Sequence, residues 1–209
     1  MKKIIIGIVT LMLCSIMFAR ETKSYITVAY NFGLFTERAE DIQTQISTNG
    51  IDLSIASYFN ENWGLYLNTD YNFPEKATVS SGGISVTTTS SDWDFSMILS
   101  AIIGPTYKYN INDNFEIFSA LGFHLAQYSL STKYVGTINY SFGIGADIGL
   151  RYLPSKNFYI TAGSLLSHDF HCNATINTAY GTTKKSDSYN FGSFRPYIGI
   201  GFSFTEIIK

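Results

Sequence analysis

Large apolar side chains alternate with small or polar ones along at least eight stretches of this chain. The first stretch, residues 24–34, shows the pattern, with large apolar residues at Ile26, Val28, Tyr30, Phe32 and Leu34. A β-strand directs successive side chains to opposite faces, so this alternation predicts strands that each have one apolar face.

The pattern predicts eight strands, over residues 24–34, 49–59, 63–73, 92–109, 115–128, 137–153, 158–170 and 193–204. Three connectors are tight turns: 60–62, 110–114 and 154–157. The other four, 35–48, 74–91, 129–136 and 171–192, are longer or more polar. Short and long connectors alternate strictly, which is typical of membrane barrels with short periplasmic turns and long outer loops.

The second face of the strands carries small side chains. In residues 137–153 this face reads Asn139, Ser141, Gly143, Gly145, Asp147, Gly149 and Arg151. Small residues fit the crowded interior of a narrow barrel, so the apolar face is predicted to point outward into lipid. Strands in lipid cannot leave an open edge, which predicts closure. A soluble lipocalin-type barrel, with the apolar face inside, is the alternative.

Aromatic residues on the apolar face sort into two bands. One band lies beside the short turns and comprises Phe59, Trp63, Phe115, Tyr152, Phe158 and Phe204. The other lies beside the long connectors and comprises Tyr71, Phe73, Trp93, Phe95 and Phe194. Ten residue steps separate Trp63 from Phe73, or about 25 Å of height for a tilted strand, which matches the hydrocarbon thickness between two aromatic girdles.

Composition agrees with a membrane barrel more than with a soluble domain. Charged residues make up 14% of the chain, against roughly 25% in soluble domains. The net charge of −2 and the lack of a basic stripe argue against nucleic acid as a partner. Residues 1–19 read as a signal peptide, with Lys2 and Lys3 before an apolar run, and residues 20–209 as one barrel domain. Cys172 is then the only cysteine of the mature chain.

These features together resemble the small outer-membrane β-barrel proteins, the group that includes OmpX, OmpW and the OmpA membrane domain. The signal segment, the eight alternating strands, the asparagine-containing turns and the aromatic last strand, 197–204, carry the resemblance. It implies a closed, antiparallel, up-and-down transmembrane barrel in the outer membrane of a bacterium with two membranes. The implied partners are outer-membrane lipid and the barrel-assembly machinery. That machinery usually reads a final aromatic residue, whereas here Thr205 to Lys209 follow Phe204.

Three charged residues on the inward face form the first candidate site. Lys108 and Glu116 are predicted to lie directly opposite each other across the turn at 110–114, and Arg151 opposite Glu116 on the next strand. Unpaired charges in a dry interior are costly, so we expect the three to pair. The cluster could be a gate, but eight strands leave little free bore, which favours a structural network that fills the lumen.

A second cluster, Ser167-His168-Asp169-Phe170-His171-Cys172-Asn173-Ala174, contains reactive residue types. It invites the hypothesis of a lipid-modifying enzyme, but neighbours on a strand point to opposite faces, so His168 and Asp169 are not expected to share a site. Two histidines make no closed metal site, and no metal, cofactor or catalytic residue is predicted.

The sequence leaves three functions open. The first is a barrel with a mostly filled lumen that acts through its outer loops, in adhesion, surface interaction or envelope integrity, with 74–91 and 171–192 as the possible contacts to an extracellular ligand. The second is an OmpW-like narrow conduit for small hydrophobic compounds. The third, a lipid-modifying barrel enzyme, is the least favoured.

Overall fold

The computed structural model describes the backbone of residues 21–39, 41–132, 135–178, 181–187 and 190–207. The predicted signal peptide, 1–19, lies outside this part of the chain. Within the described residues there are ten strands and one short 3-10 helix, Ser90–Asp92. The strands are β1 (Glu21–Ala39), β2 (Ile42–Tyr58), β3 (Trp63–Ser81), β4 (Ile84–Thr89), β5 (Phe95–Asn112), β6 (Phe115–Ser131), β7 (Val135–Tyr152), β8 (Phe158–Thr178), β9 (Gly181–Asp187) and β10 (Asn190–Ile207).

Eight of the described strands form a closed antiparallel barrel in the order β1, β2, β3, β5, β6, β7, β8 and β10. β10 pairs with β1 on one side and with β8 on the other, which closes the sheet on itself. The predicted eight-stranded up-and-down barrel is therefore confirmed. The first and last described residues, Glu21 and Ile207, and the three short connections (59–62, 113–114 and 153–157) lie at one end, here called the turn end, and the opposite end is called the hairpin end.

The two faces of the wall are oriented as predicted. Along β7, Ile144 and Ile148 are about half exposed on the outside, whereas Asp147 and Arg151 are buried inside. The inward glycines make room for large interior side chains. A Cβ atom at Gly149 would lie 2.6 Å from the ring of Phe118. The barrel thus has an apolar outer surface and an interior lined by buried side chains.

The strands continue further at the hairpin end than predicted, so most of the described residues expected in the long connectors belong to strands. β1 continues to Ala39, and β2 already begins at Ile42. β3 runs to Ser81, where the chain turns back and forms β4. Cross-strand pairs hold this β3–β4 hairpin, including Val79 opposite Val86 and a hydroxyl pair, Ser80 with Ser85, at 2.8 Å. β-Branched and hydroxyl residues favour paired strands over irregular loops. β8 and β9 form a second antiparallel hairpin of this kind.

A bulge in β3 changes which side chains face inward at the hairpin end. The pairing with β2 shifts between Ser47–Lys76 and Thr48–Pro74, which leaves Glu75 as an extra residue. Beyond it the alternation is inverted, since Pro74 is buried below the bulge and Ala77 above it.

The two aromatic bands lie on the outer surface with one exception. Trp63 and Phe73, at the two heights, are 50% and 52% exposed on the outside. Trp93 was predicted in the second band, but it packs against interior residues instead. The reason is local: Trp93 follows the 3-10 turn and its amide donates to the Ser90 carbonyl, so it lies outside the alternation of β5. Among the described residues, no helix is both long and apolar enough to cross a membrane.

Candidate functional site in the barrel lumen

The lumen at the turn end contains the three charged residues singled out from the sequence. Glu116 is paired with Arg151 across β6 and β7, and their side chains approach to 3.7 Å. Lys108 Nζ lies 3.5 Å from Glu116 Oε1. Lys108 is not directly opposite Glu116, however, because β5 runs on to Asn112 and places Asn110 there. All three side chains are at least 95% buried.

Two further residues complete this turn-end cluster and were missed by the sequence reasoning. The Tyr25 hydroxyl donates to Glu116 Oε1 at 2.7 Å, and Lys23 Nζ approaches the same oxygen to 3.5 Å. The alternation predicts that both side chains point inward from β1. It does not predict that they lie close to Glu116, which is about ninety positions away in the sequence. Arg151 also stacks on aromatic rings, with its guanidinium carbon 3.9 Å from the centre of the Phe118 ring.

The middle of the lumen carries three carboxylates and one guanidinium. Arg195 Nη1 lies 2.5 Å from both Asp70 Oδ2 and Ser100 Oγ. Asp147 instead accepts hydrogen bonds from two tyrosine hydroxyls, those of Tyr66 and Tyr197.

Asp52 is the third carboxylate of the middle layer, and it lies opposite Asp70 in the β2–β3 register. It accepts one hydrogen bond, 3.0 Å, from the Asn31 amide. Acidic charge therefore exceeds basic charge among the described side chains of this layer.

Nearer the hairpin end, Asp169 is the acceptor of a small polar network. His124 Nδ1 lies 2.7 Å from Asp169 Oδ1, and the Ser141 hydroxyl donates to Asp169 Oδ2 at 2.5 Å. The three residue types are those of a nucleophilic triad, but both partners bind the carboxylate. Because the Ser141 hydroxyl bonds to the acid and not to the imidazole, this arrangement does not activate a nucleophile.

An apolar cluster lies above these polar layers at the hairpin end. Its buried members are Phe35, Ile46, Ala77, Ile98 and Phe191, and Trp93 and Tyr128 pack against it. From the turn end upward, the described interior thus consists of an ionic cluster, a carboxylate-rich layer, the Asp169 network and an apolar layer.

The described residues of the cluster at 167–174 do not form one site. His168 is exposed on the outer face of β8, whereas Asp169 is buried inside. Ser167 Oγ pairs with Ser193 Oγ at 2.6 Å. The side chains of residues 171–174 lie outside the described part of the chain. Among the described residues, no group of three or more His, Cys, Asp or Glu side chains is arranged to hold a metal ion.

Comparison with known proteins identifies the fold. The chain is similar to the outer membrane protein OprG from Pseudomonas aeruginosa, with a TM-score of 0.61 and 14% identity over 89% of this chain and 97% of that one. It is similar to the outer membrane protein AlkL, solved in DMPC bilayers, with a TM-score of 0.61 and 12% identity over 91% and 94%. For Neisserial surface protein A the values are 0.55 and 13% over 87% and 97%.

No protein-family profile and no curated protein matches the sequence. At such low identities the shared property is the fold. This chain has the fold of the small eight-stranded outer-membrane barrels, and the apolar outer surface of its wall is the surface that such a barrel presents to lipid.

Proposed function

We propose that this protein is an integral outer-membrane barrel of a bacterium with two membranes, that its lumen is closed, and that its projecting hairpins act at the cell surface. Export by the general secretory route and insertion by the barrel-assembly machinery belong to the same proposal. The observation that carries it is the combination of a filled interior with strands that extend well beyond the membrane band.

The closed lumen is supported by the deep burial of large interior side chains. Arg151 and Arg195 are both at most 1% exposed, although they lie at different heights. Burial of this degree favours a bore without a continuous water path past the turn-end cluster and the carboxylate layer. The wild-type protein is therefore expected to show no steady conductance in planar bilayers. Open-channel steps in most insertions would contradict a closed lumen.

A surface role is supported by the length of the strands. β1, β3 and β8 contain 19, 19 and 21 residues, whereas about 9–11 suffice to cross a bilayer. The extra residues form hairpins that carry apolar side chains into solvent, such as Ile84 and Val86, which are 72% and 60% exposed. Exposed apolar residues on a projecting hairpin favour adhesion or another surface contact.

The test is a hairpin exchange. A variant in which residues 76–89 are replaced by a short Gly-Ser turn should keep heat-modifiable gel migration, because the barrel wall is intact. It should lose adhesion of expressing cells to host matrix or host cells. A matched variant with Glu61 in the 59–62 turn changed to Gln should behave like wild type. Unchanged adhesion of the hairpin variant would refute a role for this hairpin.

A second candidate function, a narrow conduit for small hydrophobic compounds, is favoured by one observation. The apolar cluster around Phe35 and Phe191 continues upward along the inverted face of β3, where Val79 lies opposite Val86. A hydrophobic compound could enter along this strip, although the charged layers below oppose its passage. Uptake of a hydrophobic dye by liposomes that contain the protein, lost on Phe191→Asp, would favour the conduit. Equal uptake by empty liposomes would exclude it.

A further inference from the structure

A row of three residues across β1, β2 and β3 forms a cradle in the middle of the lumen. Asn31 lies opposite Gly50, and Gly50 lies opposite Asn72. A Cβ atom at Gly50 would lie 2.8 Å from Asn31 Oδ1 and 2.5 Å from Asn72 Oδ1. Because Gly50 has no side chain, two amide oxygens converge over its backbone.

Hydrogen bonds fix the direction of both amide oxygens. The Asn31 Nδ2 group donates to Asp52, and the Asn72 Nδ2 group donates to Asp70. With each amide nitrogen held by a carboxylate, each carbonyl oxygen must face the cradle. The Thr48 hydroxyl borders the same space and donates to Asn72 Oδ1 at 3.4 Å, so Asn31 Oδ1 is the amide oxygen of the cradle that has no donor.

Two oxygens beside the cradle lack a donor. Asn31 Oδ1 and Asp52 Oδ1 are buried and have no hydrogen-bond partner, and their residues are at most 2% exposed. Both atoms are acceptors, so they cannot satisfy one another. A buried acceptor without a partner is costly, and so is a buried carboxylate without a counter-charge.

The balance of charge in this layer also favours a bound cation. The described charged groups that face the cradle are Asp52, Asp70, Asp147 and Arg195. Arg195 is held on Asp70 and Ser100 through Nη1, and its Nε and Nη2 atoms have no partner. Asp147 is held by two tyrosines. Asp52 is left with one amide bond and no cation of its own.

We propose that the cradle over Gly50 binds one hard metal cation through Asn31, Asn72, Thr48 and Asp52. One carboxylate with amide and hydroxyl oxygens is a donor set that suits Ca²⁺ or Na⁺ and does not suit a transition metal. The cation supplies the counter-charge of Asp52 and occupies the acceptor-rich space. It is a structural ligand of the barrel, and its binding does not depend on what the hairpins contact.

The test compares Asp52→Asn, Gly50→Ala and the exposed control Glu61→Gln with wild type. Each protein is refolded in detergent in CaCl₂, NaCl or N-methylglucamine chloride at equal ionic strength, and urea unfolding is followed by fluorescence. Bound calcium and sodium are measured by mass spectrometry after desalting. A cation at ten times its dissociation constant raises the folding equilibrium constant about tenfold. We expect this rise, with one metal ion retained, in wild type and Glu61→Gln only, and the salt that produces it identifies the cation.

Asp52→Asn distinguishes a ligand from a merely structural carboxylate. In N-methylglucamine this variant should be at least as stable to urea as wild type, because the substitution removes a buried charge that has no counter-ion. Gly50→Ala fills the cradle without changing charge and should abolish the cation response. Equal stability of wild type in all three salts would overturn the proposal and assign the space to water or a proton. An equal cation response in Asp52→Asn would also overturn it.

Discussion

The change Glu116→Ala tests the turn-end cluster most severely. Glu116 is the only anion within reach of Lys108, Arg151 and Lys23 among the described residues, and it accepts the Tyr25 hydroxyl. Its removal leaves two buried cations, Lys108 and Arg151, without a counter-charge. Breaking a buried pair in this way costs about 3–5 kcal/mol. Lys23 adds little, since its side chain is 35% exposed.

Urea unfolding of the detergent-folded barrel measures this loss. A cost of about 3–5 kcal/mol lowers the folding equilibrium constant by about two to three and a half orders of magnitude. Adding Lys108→Met should recover at least about 1 kcal/mol, because one of the stranded cations is removed. Glu61→Gln serves as the control and should lie within about 0.5 kcal/mol of wild type. If Glu116→Ala also falls within that range, or if the second change makes it worse, the electrostatic account of the cluster is refuted.

The remaining predictions concern packing, contact with lipid and the apolar layer. Each is measured as a change in the free energy of unfolding in urea. Gly201→Ala should cost about 1–3 kcal/mol, because its Cβ would lie 2.2 Å from a buried tyrosine ring, whereas Gly136→Ala, whose Cβ would make an ordinary 3.7 Å contact with the Ser131 hydroxyl, should be nearly neutral. In lipid vesicles, Leu121→Arg should cost about 2–4 kcal/mol, since it places a charge on the lipid face near mid-height, whereas Ile84→Arg at the hairpin tip should have almost no effect. Trp93→Ala should cost about 2 kcal/mol, less than a fully buried tryptophan, and a neutral result would place Trp93 outside the apolar layer.

The sequence predicted the wall of the barrel well because alternation is a local signal. Even-numbered residues of β7 such as Ile144 are outside, and odd-numbered ones such as Asp147 are inside, as the pattern required. The hairpin end was harder to predict, because its Ser, Thr and Gly residues are compatible with loops as well as with strands. The bulge at Glu75 carries no clear sequence signature either, and it inverts the alternation beyond it.

The lumen was predictable only as a set of inward positions. The register of Arg151 with Glu116 followed from the length of one hairpin. Contacts across the bore, such as Tyr25 with Glu116 or Arg195 with Asp70, join strands that are distant along the chain. Those contacts depend on the curvature and closure of the whole sheet, which a single sequence does not encode locally.

The central claim is that the apolar faces of the strands contact lipid. Spin labels attached at Leu65, Ile144 and Ser85, each as a single cysteine in a Cys172→Ser background without residues 1–19, test it in reconstituted vesicles. Labels at Leu65 and Ile144 should relax rapidly with dissolved oxygen and hardly at all with a water-soluble nickel complex. The label at Ser85, in the projecting hairpin, should show the reverse. If the labels at Leu65 and Ile144 are shielded from oxygen, the apolar faces point inward and the account is contradicted.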